Sequence, residues 1–345
     1  MPTGHRAPST GHRAVMAEQL TYRIMQTGDL PGVLRLWRDE AGWGDLTPEV
    51  WKTWFEDGPC GPSILAVAVT DGGDIVGQIA LNPAELAVGD RTVRAVRIAA
   101  PIIERRHRID TPVIGKHPAT LMYLTAVAEA QRRGFSVAYA LPERTWLAFF
   151  LGGRRLGNSL TNFGTAEYAC MSYPLAGLES RAPLTKFRAH QMEDFGTEHE
   201  ALWRDAREEL PIICSIVPSR DWKNYRSSAH LTLDVRDAQA RLRGYAVVRR
   251  KSGLLHDLLA CSANDLGEVL GATVDWLEEK QRDTSGETLS FQALNVMASP
   301  ALRGPLERLA FQPTDFRFAF ACVPIDESVA PAEIAPDRWF VMPGN

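Results

Sequence analysis

The apolar positions of this chain fall into two rhythms that trade places along its length. Ile64 to Val69 is a continuous apolar, β-branched run, Asp71-Gly72-Gly73-Asp74 supplies a hairpin turn, and Ile75 to Leu81 reads as the returning strand. Gly89-Asp90 makes a second turn into a long strand from Arg91 to Ile103. Ahead of these, Tyr22 to Gln26 predicts a short strand. Thr27-Gly28-Asp29 then opens a helix through Val33, Leu34 and Trp37, with Asp29 as N-cap. Thr47-Pro48-Glu49 opens another helix, with Val50, Trp51 and Trp54 on one face. After the long strand comes an irregular turn, Gly115-Lys116-His117-Pro118, and the spacing then predicts a helix to Gly134. That helix turns Leu121, Leu124, Val127 and Ala128 inward and carries Glu129, Arg132 and Arg133 toward its exposed end. Ser136 to Leu141 is a short apolar strand, and a second, short helix surrounds Trp146 to Phe150.

A turn-rich segment from Leu175 to Pro183, with Pro174 and Gly177, breaks the pattern. Beyond it Met192 to Leu210 reads as helical, followed by an irregular Pro218-Ser219-Arg220-Asp221-Trp222. Leu231 to Val235, Gly244 to Arg249 and Leu254 to Ala260 read as strands. Asn264 to Lys280 is a helix with Leu266, Val269, Leu270, Val274 and Leu277 at helical spacing. A strand at Leu289 to Leu294, a helix at Ser299 to Leu309 and a closing strand at Phe316 to Val323 complete the series. The order repeats that of the first half: hairpin, strand, long helix, strand, short helix, strand.

A length of 345 residues, with 45% apolar and 23% charged positions, suits two ordinary domains with a sizeable core. A formal net charge of −4 gives no electrostatic case for nucleic acid or an anionic membrane as partner. No apolar run reaches the length of a membrane span. The five cysteines are scattered without C-x-x-C spacing, which favours neither a disulfide framework nor a zinc site. Residues 1–19 repeat Gly-His-Arg-Ala and lack an apolar core, so they read as a disordered leader rather than a secretory signal. The expected location is cytoplasmic.

A turn that opens a helix beside a strand end gathers unpaired backbone N–H groups and the positive end of the helix dipole, a place to hold a phosphate or pyrophosphate. Three antiparallel strands, then Gly115-Lys116-His117-Pro118 and its helix, then strand and short helix, resemble the GNAT superfamily of acyl-CoA-dependent N-acetyltransferases. Leu306-Glu307-Arg308-Leu309-Ala310-Phe311 is similar to the short-helix ending common in that superfamily. The resemblance implies an α/β (α+β) fold of two tandem GNAT-like domains, each a mixed, mostly antiparallel twisted sheet flanked by helices. The divisions are a leader at 1–19, an acyl-CoA-binding domain at 20–172, a linker at 173–183, a second GNAT-like domain at 184–325 and an irregular tail at 326–345, anchored through Trp339 and Phe340. It further implies transfer of an acyl group, expected to be acetyl, from acetyl-CoA or another acyl-CoA to the amine of a small-molecule or peptide acceptor. The alternative is a catalytically inactive ligand-binding or assembly module. Aminoacyl transfer from tRNA on a related tandem fold is disfavoured by the acidic total. The oligomeric state stays open, a homodimer included.

Within the resemblance, the pyrophosphate turn overlays Pro112-Val113-Ile114-Gly115-Lys116-His117, with Gly115 matching and Pro112 and His117 departing from the superfamily pattern. Ile114, Gly115, Lys116 and His117 are thus the candidate phosphate-binding residues. Lys116 reads equally as a solvated lysine, and His117 as a helix cap. A splay between the two strands flanking the main helix receives the pantetheine arm. Ala99, Ala100 and Pro101, with Ile103 beyond, stand where pairing on one side is expected to end, and Pro142 on the other. The superfamily's tyrosine acid falls in Thr145-Trp146-Leu147-Ala148-Phe149-Phe150, which has none. Tyr139 and Tyr123 are the substitutes, each also readable as core. Glu104 and Glu143 are the candidate bases, each also readable as a paired surface acid. Asp39, Glu40 and Asp45, around Trp43, stand where such folds close over the acceptor. Glu104-Arg105-Arg106-His107-Arg108 and Arg154-Arg155 are candidate anion contacts or solvated runs. His256 and Asp257 are adjacent in a strand and point to opposite faces, so they cannot form a dyad. The helix at Asn264 opens without a glycine turn, and Ser262 or Asn264 caps it.

Overall fold

A computed structural model describes residues 19–42, 46–109, 114–175, 182–209, 214–216, 229–283 and 289–344. The expectations placed on the leader, Trp43, Asp45, Pro112, Val113, Gly177 and Pro218 to Trp222 fall outside them. The first half runs β1 (Leu20–Ile24), α1 (Leu30–Leu36, prolonged by a π-helical turn Trp37–Ala41), α2 (Pro48–Phe55), β2 (Ile64–Thr70), β3 (Ile75–Val88) and β4 (Arg91–Ile103). It continues with α3 (Arg105–Ile109), α4 (Pro118–Arg132), β5 (Val137–Ala140), α5 (Arg144–Gly153) and β6 (Gly164–Pro174). The second half has β7 (Arg188–Met192), α6 (Thr197–Glu209), β8 (Cys214–Ile216), β9 (His230–Arg236), β10 (Leu242–Arg249), β11 (Leu255–Ala260) and α7 (Asp265–Arg282). It closes with β12 (Ala293–Met297), α8 (Pro300–Arg308), β13 (Gln312–Pro324) and β14 (Trp339–Phe340). No described helix is long and apolar enough to cross a membrane.

The large sheet has the order β1-β2-β3-β4-β5-β13-β6-β12, with β8 on the far end of β3 and β14 on β8. A smaller sheet has the order β11-β10-β9-β7. Ladders are antiparallel except β4 with β5 and β14 with β8. Each half therefore lends its closing strand to the other. β13 lies between β5 and β6, and β6 lies between β13 and β12.

Strand alternation assigns the faces of the large sheet. Ile64, Ala66 and Ala68 of β2 pack under α4 and α5, while Leu65, Val67 and Val69 pack under α1 and α2 on the opposite face. Further along that opposite face, Ala84, Val93, Ala95, Val137 and Tyr139 are covered by the C-terminal segment through Val329, Ile334, Trp339 and Val341. This segment is largely irregular and anchored at intervals, with Val329, Ile334, Trp339 and Phe340 buried between exposed stretches. Tyr168 donates to the Pro336 carbonyl at 2.6 Å, and Trp339 to that of Ile334 at 3.0 Å.

Several elements differ from expectation for identifiable reasons. The buried stripe of α4 is Ala119, Met122, Tyr123, Ala126, Val127 and Ala130, with Leu121 and Leu124 at its margin and Ala128 exposed. Small residues let this helix sit close to the sheet, and Met122 lies over Gly77, where a Cβ would come within 3.1 Å of its sulfur. In α2 the buried face is Trp51 and Phe55, stacked at 5.7 Å, while Val50 and Trp54 face solvent. Asp29 does not cap α1 with its side chain; its carboxylate accepts from the Gln26 N–H and from Arg23. The helix expected from Met192 begins at Thr197, because residues 188–192 pair with β9 as an edge strand. The strand expected at Leu289 forms later, where Ala293–Met297 meets β6.

Candidate functional site

β4 and β5 run side by side for three register pairs only: Ala95 with Val137, Val96 with Ala138 and Arg97 with Tyr139. β5 then ends at Ala140, ahead of half-buried Leu141 and Pro142, whereas β4 continues on β3 to Ile103. Ala99, Ala100 and Pro101 thus lie beyond the last β4–β5 pair, and on the β3 side they form a bulge within a strand that continues. Ala80 pairs with Ala99 and Gln78 with Ile102, so Ile79 alone faces Ala100 and Pro101. Ala100 takes up the extra residue with φ +48°. Ile103, on the α4 face, is buried, while Ala99 to Pro101 are half-exposed in an otherwise buried sheet. The result is a wedge with its apex at Arg97 and Tyr139, opening toward Ile103, with one edge of β4 free of β5.

At the wide end, Ile114–Lys116 forms one 3-10 turn, and His117 N-caps α4, its Nδ1 accepting the Ala119 N–H at 3.2 Å. Burial holds the imidazole below its ordinary pKa, partly offset by a hydrogen bond to the Arg108 backbone. That leaves the ring neutral and suited to accept. Of the first-turn donors of α4, Pro118 has none, Ala119 is taken by His117, and Thr120 bonds the His117 carbonyl at 2.9 Å. The turn is also packed from above. A Cβ on Gly152 of α5 would fall 2.2 Å from Ile114 Cδ1, and one on Gly115 would fall 3.0 Å from Leu156 Cδ2. Lys116 is exposed. The free edge of β4 leaves main-chain groups open to an extended ligand, and Lys116 with Gly115 is what remains at the helix start to meet an anion.

The candidate proton-handling groups are spread along this wedge. Tyr139 is fully buried at the apex and packs on Trp339 at 5.5 Å. Glu143 is exposed at the N-terminus of α5 and makes no side-chain cap. Glu104 lies seven positions from Arg97 along β4, roughly 20 Å at strand rise, and pairs with Arg106 at 3.0 Å. It lines an open cleft of about 250 Å³ with Arg35, Asp39 and Glu40. Tyr123 belongs to the core, its hydroxyl donating to the Leu160 carbonyl at 2.9 Å, and burial pushes its pKa up. Phe150 also packs into that core, 4.8 Å from Phe163. The basic run is largely neutralised in place, with Arg108 on Glu40 at 2.8 Å and Arg106 on Glu104. Arg154 donates to the Phe163 carbonyl at 2.7 Å. In the second half, Asp257 accepts from Tyr245 at 3.1 Å, and His256 stacks on His230 at 4.2 Å. Ser262, not Asn264, bonds Asp265 at the start of α7.

Two residues at the apex carry no expectation from the sequence. Arg97 shares a face with Val93 and Ala95, and its cross-strand partner on β3 is Asn82. Burial lowers the Arg97 pKa, countered in part by the nearby Tyr139. A signal was present in the sequence: a cation standing in phase with apolar Val93 and Ala95.

No protein-family model matches the sequence, and no curated protein matches it. Solved structures do. The chain is similar to a GCN5-related N-acetyltransferase from Anabaena variabilis ATCC 29413, at 11% identity and a TM-score of 0.61 over 89% of this chain and 73% of that one. It is also similar to a probable N-acyltransferase from Enterococcus faecalis V583, at 10% identity and a TM-score of 0.59 over 89% of this chain and 73% of that one. A third is Saccharomyces cerevisiae N-myristoyltransferase with bound myristoyl-CoA, at 10% identity and a TM-score of 0.56 over 90% and 83%.

Proposed function

Starting from the fold, which is that of the GNAT N-acetyltransferases and N-myristoyltransferase, we propose that this protein is an acyl-CoA-dependent N-acyltransferase acting on an amine acceptor. The observation that carries the reading is the loss of β4–β5 pairing immediately beyond Arg97 and Tyr139, with the bulge at Ala100 beside it. Main-chain groups of β4 from Ala99 to Ile103, unpaired toward β5, would hold the pantetheine arm, with Pro142 closing the other wall. Ile114, Gly115, Lys116 and His117 would face the phosphates. An acyl-CoA, when bound, supplies the acyl group already activated as a thioester; acetyl is the acyl group we assign. Tyr139 Oη, at the narrow end, is the group we assign to proton return. Glu143, exposed beyond β5, is the carboxylate we assign to proton removal through water, with Glu104 second because of its distance from the apex and its Arg106 partner.

Calorimetric titration with coenzyme A, acetyl-CoA and a long-chain acyl-CoA tests the reading, repeated on Gly115→Trp. Saturable binding in the wild type, weakened at least tenfold in a variant that still melts cooperatively, is the expected result. A protein that binds none of them contradicts it.

One observation favours a non-catalytic module instead. Ile114 and Leu156 fill the space against Gly152 and Gly115, and the first turn of α4 spends its donors internally. In that case coenzyme A fails to bind although the wedge persists.

A further inference from the structure

The large sheet carries a polar row across the face opposite α4. Ser63, just before β2, donates to Asn82 Oδ1 at 2.9 Å. Asn82 pairs in register with Arg97, and Arg97 with Tyr139. To one side of this row lies the apolar layer under α1 and α2, with Leu65 and Ala80; to the other lies the layer under the C-terminal segment, with Ala84 and Ala95. The row is thus the polar floor between two apolar layers, at the apex of the wedge.

Its donors are unused. Ser63 fixes Asn82 with the amide oxygen toward itself, so the amide N–H₂ is turned away from that bond. Among the described residues the amide nitrogen has no hydrogen-bond partner, and Arg97 pairs with no carboxylate and donates to no acceptor. Both residues are half-buried. A guanidinium shielded on an apolar floor without an anion is costly, since burial disfavours its charge. The arrangement of a planar fork beside a second oriented N–H donor matches the two oxygens of a carboxylate.

We propose that Arg97, with Asn82 beside it, binds the carboxylate of the acyl acceptor, which makes the acceptor an amino-carboxylate of the amino-acid class. The proposal rests on the acyltransferase reading above and adds the acceptor's chemistry to it. The coenzyme's phosphates are not what these donors meet, because the phosphate-facing turn lies at the wide end of the wedge and Arg97 lies at its apex. An amine whose carboxylate is held at Arg97 sits within a few residues of the β4 edge at Ala99 to Ile103, to which the reading assigns the pantetheine arm.

The test needs no turnover. A panel of N-acetyl amino acids, the product form of such acceptors, is titrated calorimetrically against the full chain alongside the matching N-acetyl amino acid amides. The proposal expects at least one acid to bind, its amide to bind at least tenfold more weakly, and Arg97→Gln to lose at least tenfold of the acid's affinity. Arg97→Lys should fall between the two, and Asn82→Asp, which offers Arg97 an internal carboxylate, should abolish binding while the protein stays folded. Absence of binding by every acid, equal binding of acid and amide, or undiminished binding by Arg97→Gln overturns it. Coenzyme A binding is measured on the same samples. Its loss in the wild type counts against the acyltransferase reading alone. Its retention in Arg97→Gln, with the acid's affinity gone, separates the carboxylate site from the coenzyme site.

Discussion

Arg97 is held by burial and geometry rather than by a partner, and this has a consequence for stability apart from any ligand. Removing a partly desolvated charge that no carboxylate compensates relieves a penalty instead of breaking a bond. Arg97→Gln is therefore expected to melt at the same temperature as the wild type or higher, as read by calorimetry without ligand; a clear drop would mean that the guanidinium supports the fold. Gly253 behaves in the opposite way. Its φ is +61°, and a Cβ there would fall 2.2 Å from the Ala293 carbonyl oxygen and 2.4 Å from Phe291. Left-handed backbone and a backbone collision act together, so Gly253→Ala should cost about 2–4 kcal/mol in denaturant unfolding. Individual residues of the site were unevenly legible. The position of Gly115 and His117 at the start of α4 was readable because a turn before a helix announces itself in sequence. Arg97 and Asn82 were not paired because the strand expected before the Gly89-Asp90 turn stopped at Leu81, whereas in the structure the register set at Val88 and Arg91 runs unbroken to Asn82 and Arg97, and the bulge lies beyond them.

At the scale of elements, periodicity identified α4 but turned it. Leu121 and Leu124 outrank alanines in hydrophobicity, yet close approach to the sheet selects Ala119, Ala126 and Ala130 for the interior. The same helix ends in an ion cluster, with Glu129 bonded to Arg132 and Arg133 at 2.7 Å each. Those two hydrogen bonds hold the Glu129 carboxyl at about 2. A folded pKa below the unfolded one contributes stability that is complete above the unfolded carboxyl range near ~4.3 and is lost as pH falls toward the folded value. Glu129→Gln should accordingly lose about 0.5–1 kcal/mol at pH 7, reduced by solvent screening, and the difference from wild type should close as pH approaches 2. Melting curves of both proteins from pH 7 to 2 check this, and a gap that persists at the acid end would contradict it. β7 shows the other limit of periodicity: residues 188–192 are a strand only because β9 lies alongside, a partner more than forty positions away from most of them.

For the molecule as a whole, the repeated order of elements was readable in the chain, but the exchange of closing strands was not, because element order is local and strand partnership is not. β13 fills the gap between β5 and β6, and Phe320 within it is fully buried, 4.8 Å from Trp339 and 5.8 Å from Tyr168. The two halves thus share one hydrogen-bonded sheet and one core layer. An intact chain should unfold in a single cooperative transition, and Phe320→Ala should lower that transition as a unit, by about 3–5 kcal/mol. Residues 20–175 alone would leave the facing edges of β5 and β6 unpaired, and residues 182–344 alone would lack the strand between β12 and β13. Neither fragment is expected to melt cooperatively, since exposed sheet edges and a half-covered core favour aggregation over folding. Co-expressed, they should associate and recover the single transition of the parent. A cooperative melt from residues 20–175 alone would show that β13 is an addition to a complete domain. Its absence would mean that the wedge at Arg97 and Tyr139 exists only because the far end of the chain returns to pair with β5.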